Sequence, residues 1–278
     1  DLARMAALEA GYDTRSSGVT LDRFCGSGIT SVNLAAMNIM SGSEDLVIAG
    51  GAEMMSTYGE EGTAMSPFMD NGNLTLREMH PQPHQGVCAD AIATLEGIPR
   101  EALDALAYVT QQRAANAINN GYFDKSLVPV HSVDGTLALD KEEFPRPQTT
   151  LEGLAELQPS FAPMADYPLD ESGLTYRAMV LQKYPGLEIT HMHHAGNSSG
   201  VVDGAAALLL TSPDYARAHG MQPRARIKAM ANMGDCPTLM LNAPVPAARR
   251  VLEKAGLAIG DIDLWEINEA FAVVSEKF

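Results

Sequence analysis

The stretch Val19-Thr20-Leu21-Asp22-Arg23-Phe24-Cys25-Gly26-Ser27-Gly28-Ile29-Thr30-Ser31 decides the fold around it. Apolar and β-forming residues precede Cys25, and helix-forming residues follow Ser31. Gly26 and Gly28 permit a tight turn and the close approach of another group. We therefore predict a strand, a sharp turn that carries Cys25, and a helix that begins directly behind it.

The position of Cys25 suggests a reactive thiol. A thiol at a helix N-terminus faces unpaired N–H groups and the positive end of the dipole, and both favour the nucleophilic thiolate. The alternative is a buried cysteine that packs as a small hydrophobic residue. The flanking glycines and the hydroxyls of Ser27, Thr30 and Ser31 favour the nucleophile.

Two later stretches add to this pattern. They are His194-Ala195-Gly196-Asn197-Ser198-Ser199-Gly200, followed by Asp203-Gly204-Ala205-Ala206-Ala207, and Asn268-Glu269-Ala270-Phe271-Ala272. The stretch from Asp22 to Ser31 resembles the nucleophile motif of the thiolases (acetyl-CoA C-acyltransferases). The second resembles the family's coenzyme A loop and the third its oxyanion motif. The three occur in the family's order, and the likeness extends along nearly the whole chain.

This resemblance implies a thiolase-like α/β fold with two βαβ-based halves, in which mixed sheets sandwich helices. A loop subdomain would be inserted in the first half, and we expect the second half to be truncated. Residues 1–56 and 200–222 would form the N-terminal half. Residues 57–199 would form the inserted substrate-binding subdomain, and 223–278 the start of the C-terminal half.

Local patterns predict helices at 1–11, at 99–120 and at 246–256, with Gly at the end of each. Thr149 or Thr150 would cap a further short helix. Residues 57–85, which glycines and prolines punctuate, predict a surface excursion. The predicted strands comprise a buried parallel strand at 46–49, a short strand at 128–130 leading into a hairpin, a buried strand at 205–210, and strands at 224–231 and 262–267.

Both ends of the sequence resemble cut ends. The chain opens in a helix already under way, and it stops inside the helix expected after Asn268. The family would carry its first strands before this chain. It would carry a Gly-His-Pro histidine and a Cys-x-Gly cysteine after it. Because that histidine would be the base, we expect a fragment with little or no turnover.

The resemblance assigns chemical roles to Cys25 and Asn268. Cys25 would attack an acyl thioester and carry the acyl group as an acyl-cysteine. The Asn268 amide would support an oxygen that gains negative charge, and fixed donors of this kind contribute about 3 kcal/mol each. Glu269 would orient that amide. The alternative for Asn268 is the commoner use of asparagine as a helix cap.

The remaining candidate residues surround these two. Ala195 and Ser199 would lie against the pantetheine arm of coenzyme A, unless the loop is an ordinary Gly/Ser turn. Gly28 would support the nucleophile turn. Four residues match positions near the thioester or the acyl chain, although core packing is the alternative for the apolar ones: His84, Met240, Ala270 and Phe271.

Three histidines, His191, His193 and His194, form an HxHH cluster that could bind a metal. Adjacent residues in an extended segment point to opposite faces, and no Cys or carboxylate lies at ligand spacing. We therefore expect no metal site here and interpret the cluster as a polar loop. Asp203 would have a structural role.

Composition narrows the functional classes. With 278 residues, 46% of them hydrophobic, the chain can bury more than one core. Its formal net charge of -16 argues against nucleic-acid or anionic membrane partners. Three cysteines without a CxxC pattern indicate a reducing compartment, and we expect a cytoplasmic protein without membrane insertion.

The resulting prediction is an acyltransferase of fatty acid metabolism, such as β-oxidation. It would catalyse thiolysis of a 3-ketoacyl-CoA or the reverse Claisen condensation. No metal or redox cofactor would be needed, since acyl-CoA and coenzyme A are the substrates, and a homodimer or homotetramer is implied. Three alternatives remain. They are a ketoacyl synthase of the same fold, an inactive or scaffold chain, and a cysteine hydrolase with its own histidine base.

Overall fold

A computed structural model describes residues 1–57 and 66–278, and these divide into two compact units. The first unit combines Val202–Met230 with the described residues of Asp1–Tyr58. The second combines Ala231–Phe278 with the described residues of Gly59–Val201. The return to the first unit at Val202 lies two residues from the predicted boundary at 200. The predicted start of a C-terminal half at 223 stays a prediction.

Helices account for most of the regular structure in the described residues. In chain order they are α1 (Leu2–Glu9), α2 (Ser27–Met40), α3 (Leu74–Met79), α4 (Gln85–Glu96), α5 (Arg100–Asn119), α6 (Leu151–Ala155), α7 (Ala162–Ala165), α8 (Tyr176–Lys183), α9 (Pro213–Ala218), α10 (Pro244–Ala255) and α11 (Ala272–Lys277). The strands are β1 (Leu46–Met54), β2 (Val130–His131), β3 (Leu137–Leu139) and β4 (Asp203–Thr211).

The first unit is built on the pairing of β1 with β4, against which α2 packs. The pairing is antiparallel and runs from Leu46 opposite Thr211 to Met54 opposite Asp203. The prediction of a parallel strand at 46–49 is therefore wrong. An apolar run carries no information about the direction of its neighbour, which the tertiary fold decides.

The predicted burial of these two strands is also wrong. Ala49 is their one buried residue, whereas Ile48 is 50% exposed and Leu208 is 58% exposed. Apolar composition makes burial favourable, but burial also requires a second layer that covers the sheet. Within the described part of this unit α2 is the helix that packs against both strands.

Three predicted strands, at 19–24, 224–231 and 262–267, are absent from the described residues. A strand needs a hydrogen-bonded neighbour, and β-forming residues alone cannot supply one. The short strand predicted at 128–130 corresponds in part to β2, which pairs with β3 in a hairpin. The predicted excursion over 57–85 falls in part on residues 58–65, outside the described residues.

The second unit has a helical core around α4, whose residues from Gly86 to Ala93 are all buried. Helices α7, α8 and α11 pack against α4, and α11 also packs against α5. The predicted helices are confirmed as α1, α5 and α10. The caps are confirmed too, since Thr150 accepts from the Gly153 N–H at 3.0 Å and Gly256 has a φ of +66°.

Candidate functional site

Cys25 lies in a single 3₁₀ turn, Phe24–Gly26, directly before α2 in the first unit. Its side chain is exposed, so the alternative of a buried packing cysteine is wrong. The preceding Phe24 has a φ of +48°, in the left-handed region that a bulky residue rarely adopts. Such strain costs about 1–3 kcal/mol and is concentrated at functional sites.

Three hydrogen bonds hold this strained turn in place. The Asp22 carboxylate accepts from the Phe24 N–H at 2.7 Å. Ser27 Oγ accepts from the Arg23 N–H at 2.7 Å and donates to the Phe24 carbonyl at 2.7 Å. A Cβ at Gly28 would meet no atom within 4 Å, so no close approach explains this glycine within the described residues. The turn therefore presents the thiol outward on a fixed backbone.

The second unit contains a groove formed by two adjoining cavities of about 230 Å³ each. One wall is the segment from Ala195 to Gly200. A second wall comes from Phe144 and the residues around α6. Asn268 and Glu269 lie at one end of the groove. The structure thus brings together the predicted residues Ala195, Ser199, Asn268 and Glu269.

Glu269 is held at the groove by a residue that the sequence did not indicate. The Thr110 hydroxyl on α5 lies 3.0 Å from one carboxylate oxygen of Glu269 and 2.9 Å from the other. Asn268 does not cap the following helix, because α11 begins at Ala272 with Phe271 as its N-cap. The capping alternative for Asn268 is therefore wrong, and its side chain is exposed at the groove.

Four candidate residues do not line this groove. His84 caps α4, where its Nδ1 accepts from the Gly86 N–H at 3.1 Å, and its ring packs near Phe161. Phe271 is 5% exposed and belongs to the core of this unit. Ala270 packs beside that core and accepts from the Ser199 N–H at 3.0 Å. Met240 is half-buried, with a φ of +59°.

The HxHH cluster is bound to two buried carboxylates. Asp90 on α4 accepts from Nδ1 of His191 and of His193, both at 2.7 Å. Asp104 on α5 accepts from Nε2 of His194 at 2.9 Å. His193 and His194 are essentially unexposed, so the interpretation as a polar loop is wrong. Among the described residues, no group of three or more His, Cys, Asp or Glu is arranged to hold a metal ion.

Asp90 stays ionised despite its burial. Desolvation raises the pKa of its carboxyl, but the hydrogen bonds from His191 and His193 outweigh this and leave the pKa lowered. The backbone N–H groups of Met192 and His193 also donate to it, at 3.0 and 2.9 Å. One sequence signal pointed to this site: Asp90 is the sole charged residue between Gly86 and Ala93.

Burial lowers the pKa of His84 and of His194 below the ordinary value of 6.5. Below pH 6.5 the unfolded chain therefore binds protons that the folded chain does not, and stability falls as the pH falls. We expect the urea concentration at the midpoint of unfolding, measured by Trp265 fluorescence, to decrease as the pH is lowered from 7.5 to 5.5. His84→Asn keeps a capping side chain and should flatten this dependence, whereas His219→Gln, at an exposed site, should leave it unchanged. If the unfolding midpoint depends on pH equally steeply in both variants, the assignment of this dependence to His84 is contradicted.

Comparison with known proteins identifies the family of this chain. Residues 1–165 match the N-terminal domain of thiolase, and residues 221–276 match its C-terminal domain. The chain belongs to the thiolase family. Its α/β fold follows from that membership. The C-terminal match begins two residues before the predicted start of the second half.

Individual thiolases are similar over nearly the whole chain. The 3-oxoadipyl-CoA/3-oxo-5,6-dehydrosuberyl-CoA thiolase of Escherichia coli (strain K12) is 40% identical, covering 98% of this chain and 65% of its own length. The acetyl-CoA acetyltransferase of that strain is 38% identical, and the match covers 97% of this chain and 65% of the relative. The 3-ketoacyl-CoA thiolase of Cronobacter sakazakii is 37% identical, and the match covers 98% of this chain and 64% of the relative. This thiolase chain thus spans about 65% of the length of these relatives.

No helix among the described residues of this thiolase chain is long and apolar enough to cross a bilayer.

Proposed function

We propose that this thiolase chain takes part in acyl transfer between thioesters, with Cys25 as the residue that carries the acyl group. One observation supports this most directly: the exposed thiol follows a residue with strained backbone and precedes a 14-residue helix. Attack by the thiolate on an acyl-CoA would form the Cys25 thioester and release coenzyme A as the leaving thiolate. In the next step a second thiolate or a carbanion would attack the Cys25 thioester, take the acyl group and release the Cys25 thiolate.

The groove of the second unit, with its two cavities of about 230 Å³ each, would receive the coenzyme A arm. Its wall from Ala195 to Gly200 offers small side chains and backbone groups to an extended chain such as pantetheine. The exposed carboxamide of Asn268 at one end is a neutral donor for an oxygen that gains charge. The Thr110 hydroxyl holds Glu269, the acidic neighbour of that carboxamide.

The reaction class is thiolysis of 3-ketoacyl-CoA or its reverse, the condensation of acyl-CoA units. Coenzyme A enters as a substrate, and the proposed steps use no metal or redox cofactor. A homodimer or homotetramer and a cytoplasmic location complete the proposal. It is tested by incubating the chain with acetyl-CoA and locating an acetyl adduct by mass spectrometry. An unmodified Cys25 would instead favour the scaffold alternative.

Arg146 gives the groove a cationic group in a chain of net charge -16. Its guanidinium carbon lies 5.8 Å from the centre of the Phe144 ring, a cation–π distance. The structure shows no ion pair to Arg146 within the described residues. A guanidinium in this state is suited to a phosphate of coenzyme A.

Arg146→Ala is therefore expected to weaken coenzyme A binding by about tenfold and pantetheine binding little, because pantetheine has no phosphate. Isothermal titration calorimetry measures both affinities. Arg113→Ala is the matched control, since Arg113 is exposed on α5 and does not line the groove. An equal loss for both ligands would argue against a phosphate contact at Arg146.

A further inference from the structure

We infer that Asp104 is a positioning residue that ties the two walls of the groove together and so sets its width. Asp104 does not line the groove and would not touch a ligand there. Asp104 is the fifth residue of α5 and is 4% exposed, and its carboxylate accepts hydrogen bonds from both sides. The inference rests on the proposed function only for the choice of ligand in its test.

One carboxylate oxygen of Asp104 holds the loop wall. Oδ1 accepts from His194 Nε2 at 2.9 Å and from Asn197 Nδ2 at 2.9 Å. The tautomer of His194 is fixed, because its Nδ1 accepts from the Gly196 N–H at 3.0 Å and leaves the proton on Nε2. Asn197 and Gly196 line the groove directly. Displacing this oxygen therefore releases the wall that would contact pantetheine.

The other oxygen holds the second wall, formed by Phe144 and the residues around α6, through an arginine. Oδ2 accepts from Arg100 Nε at 2.7 Å. The Arg100 guanidinium then donates from one terminal nitrogen to the carbonyls of Leu154 at 2.8 Å and Leu157 at 2.9 Å. Leu154 and Leu157 line the groove beside the end of α6. Both walls therefore depend on the position of one buried carboxylate.

Every group that faces the Asp104 carboxylate here is a donor. Asp104→Asn keeps the shape but replaces one oxygen with an NH₂ group, which must then face either Arg100 or the pair His194 and Asn197. Opposed donors in a buried site are costly. Arg100 cannot accept a hydrogen bond, and His194 can accept one at Nε2 only by moving its proton to Nδ1 and losing the contact with the Gly196 N–H. One of the two walls is thus released whichever way the amide turns, and the groove loses its fixed width.

The test compares Asp104→Asn with Asp70→Asn, a control in the same unit. Asp70 is 6% exposed and accepts from Arg77 Nε at 2.6 Å and from Arg77 Nη2 at 2.9 Å, away from the groove. Both variants place a buried NH₂ group against hydrogen-bond donors, so both should be destabilised. Asp104→Asn is expected to lower the affinity for both coenzyme A and pantetheine by at least about tenfold. Asp70→Asn should leave both affinities within about twofold.

A second pair of variants separates positioning from general loss of packing. His194→Gln keeps an Nε2 donor within reach of Asp104, whereas His194→Ala removes it. We expect His194→Gln to bind both ligands close to the original affinity and His194→Ala to bind like Asp104→Asn. Equal losses in the two His194 variants would overturn the role of the hydrogen bond to Asp104.

Amide hydrogen exchange tests the inference without a ligand. In Asp104→Asn, peptides covering 151–157 and 195–200 should both exchange faster than in the original chain, and neither should change in Asp70→Asn. Unchanged exchange in both walls would overturn the inference even if coenzyme A binds. If the original chain binds neither coenzyme A nor pantetheine, the proposed function fails, and the exchange result alone decides the role of Asp104.

Discussion

Replacing Cys25 by serine is expected to lower acyl transfer from acetyl-CoA to the chain by at least about 1,000-fold. A serine hydroxyl is a far weaker nucleophile than a thiol near neutral pH, so the variant would form the acyl adduct much more slowly. Intact mass spectrometry after incubation with acetyl-CoA measures the fraction acylated. Digestion of the sample then locates the modified residue.

The chain contains its own control thiols for this experiment. Cys236 is half-buried and accepts from the Tyr184 hydroxyl at 3.7 Å, and Cys88 is fully buried. Cys236→Ser should therefore acquire the acyl group at Cys25 to the same extent as the original chain. An adduct that persists in Cys25→Ser, or that maps to Cys236, would refute the nucleophile assignment.

Removing the Asp90 carboxylate is expected to cause the largest loss of stability. Asp90→Ala deprives His191 and His193 of their acceptor and leaves two backbone N–H groups unpaired in a site with no exposure. Breaking a buried ionic or hydrogen-bonded group by removing one partner costs about 3–5 kcal/mol. Urea unfolding, followed by the fluorescence of Trp265, measures this, because Trp265 lies in the same unit and is the one tryptophan of the chain.

The matched control for Asp90 is Asp166, which is linked to His191 through Arg177. Arg177 donates to Asp166 at 2.7 Å, and the same guanidinium reaches His191 Nε2 at 2.9 Å. The Asp166 side chain is 60% exposed, so Asp166→Ala should cost less than about 1 kcal/mol. Similar urea midpoints for the two variants would show that burial of Asp90 does not have the stabilising effect assigned to it.

The location of the nucleophile turn could be predicted well from the sequence. Gly26, Gly28 and the helix-forming run after Ser31 predicted α2 behind Cys25, and the structure confirms that helix. The strand that the sequence predicts before Cys25 is absent from the described residues. Its β propensity is a property of residues 19–24 alone, whereas a strand requires a neighbouring chain to complete its hydrogen bonds.

The histidine cluster shows that the sequence does not reveal contacts between residues that are distant in the chain. Extended geometry correctly separated His193 from His194, which point to different carboxylates. Their acceptors, Asp90 and Asp104, lie 103 and 90 residues away in sequence. Local spacing carries no information about a partner that distant, so the cluster was interpreted as a polar loop and not as the anchor of the groove wall.

The sequence by itself determined the local features of this thiolase: where its helices begin and end, which loop is rich in glycine and serine, and which cysteine lies in a turn before a helix. Those features depend on propensities and caps that act within a few residues. Only the tertiary structure decided the antiparallel pairing of β1 with β4, the contact of Thr110 with Glu269, and the coupling of both groove walls to Asp104. Each of these joins residues distant in the chain, and their energies depend on burial that exists only once the chain has folded.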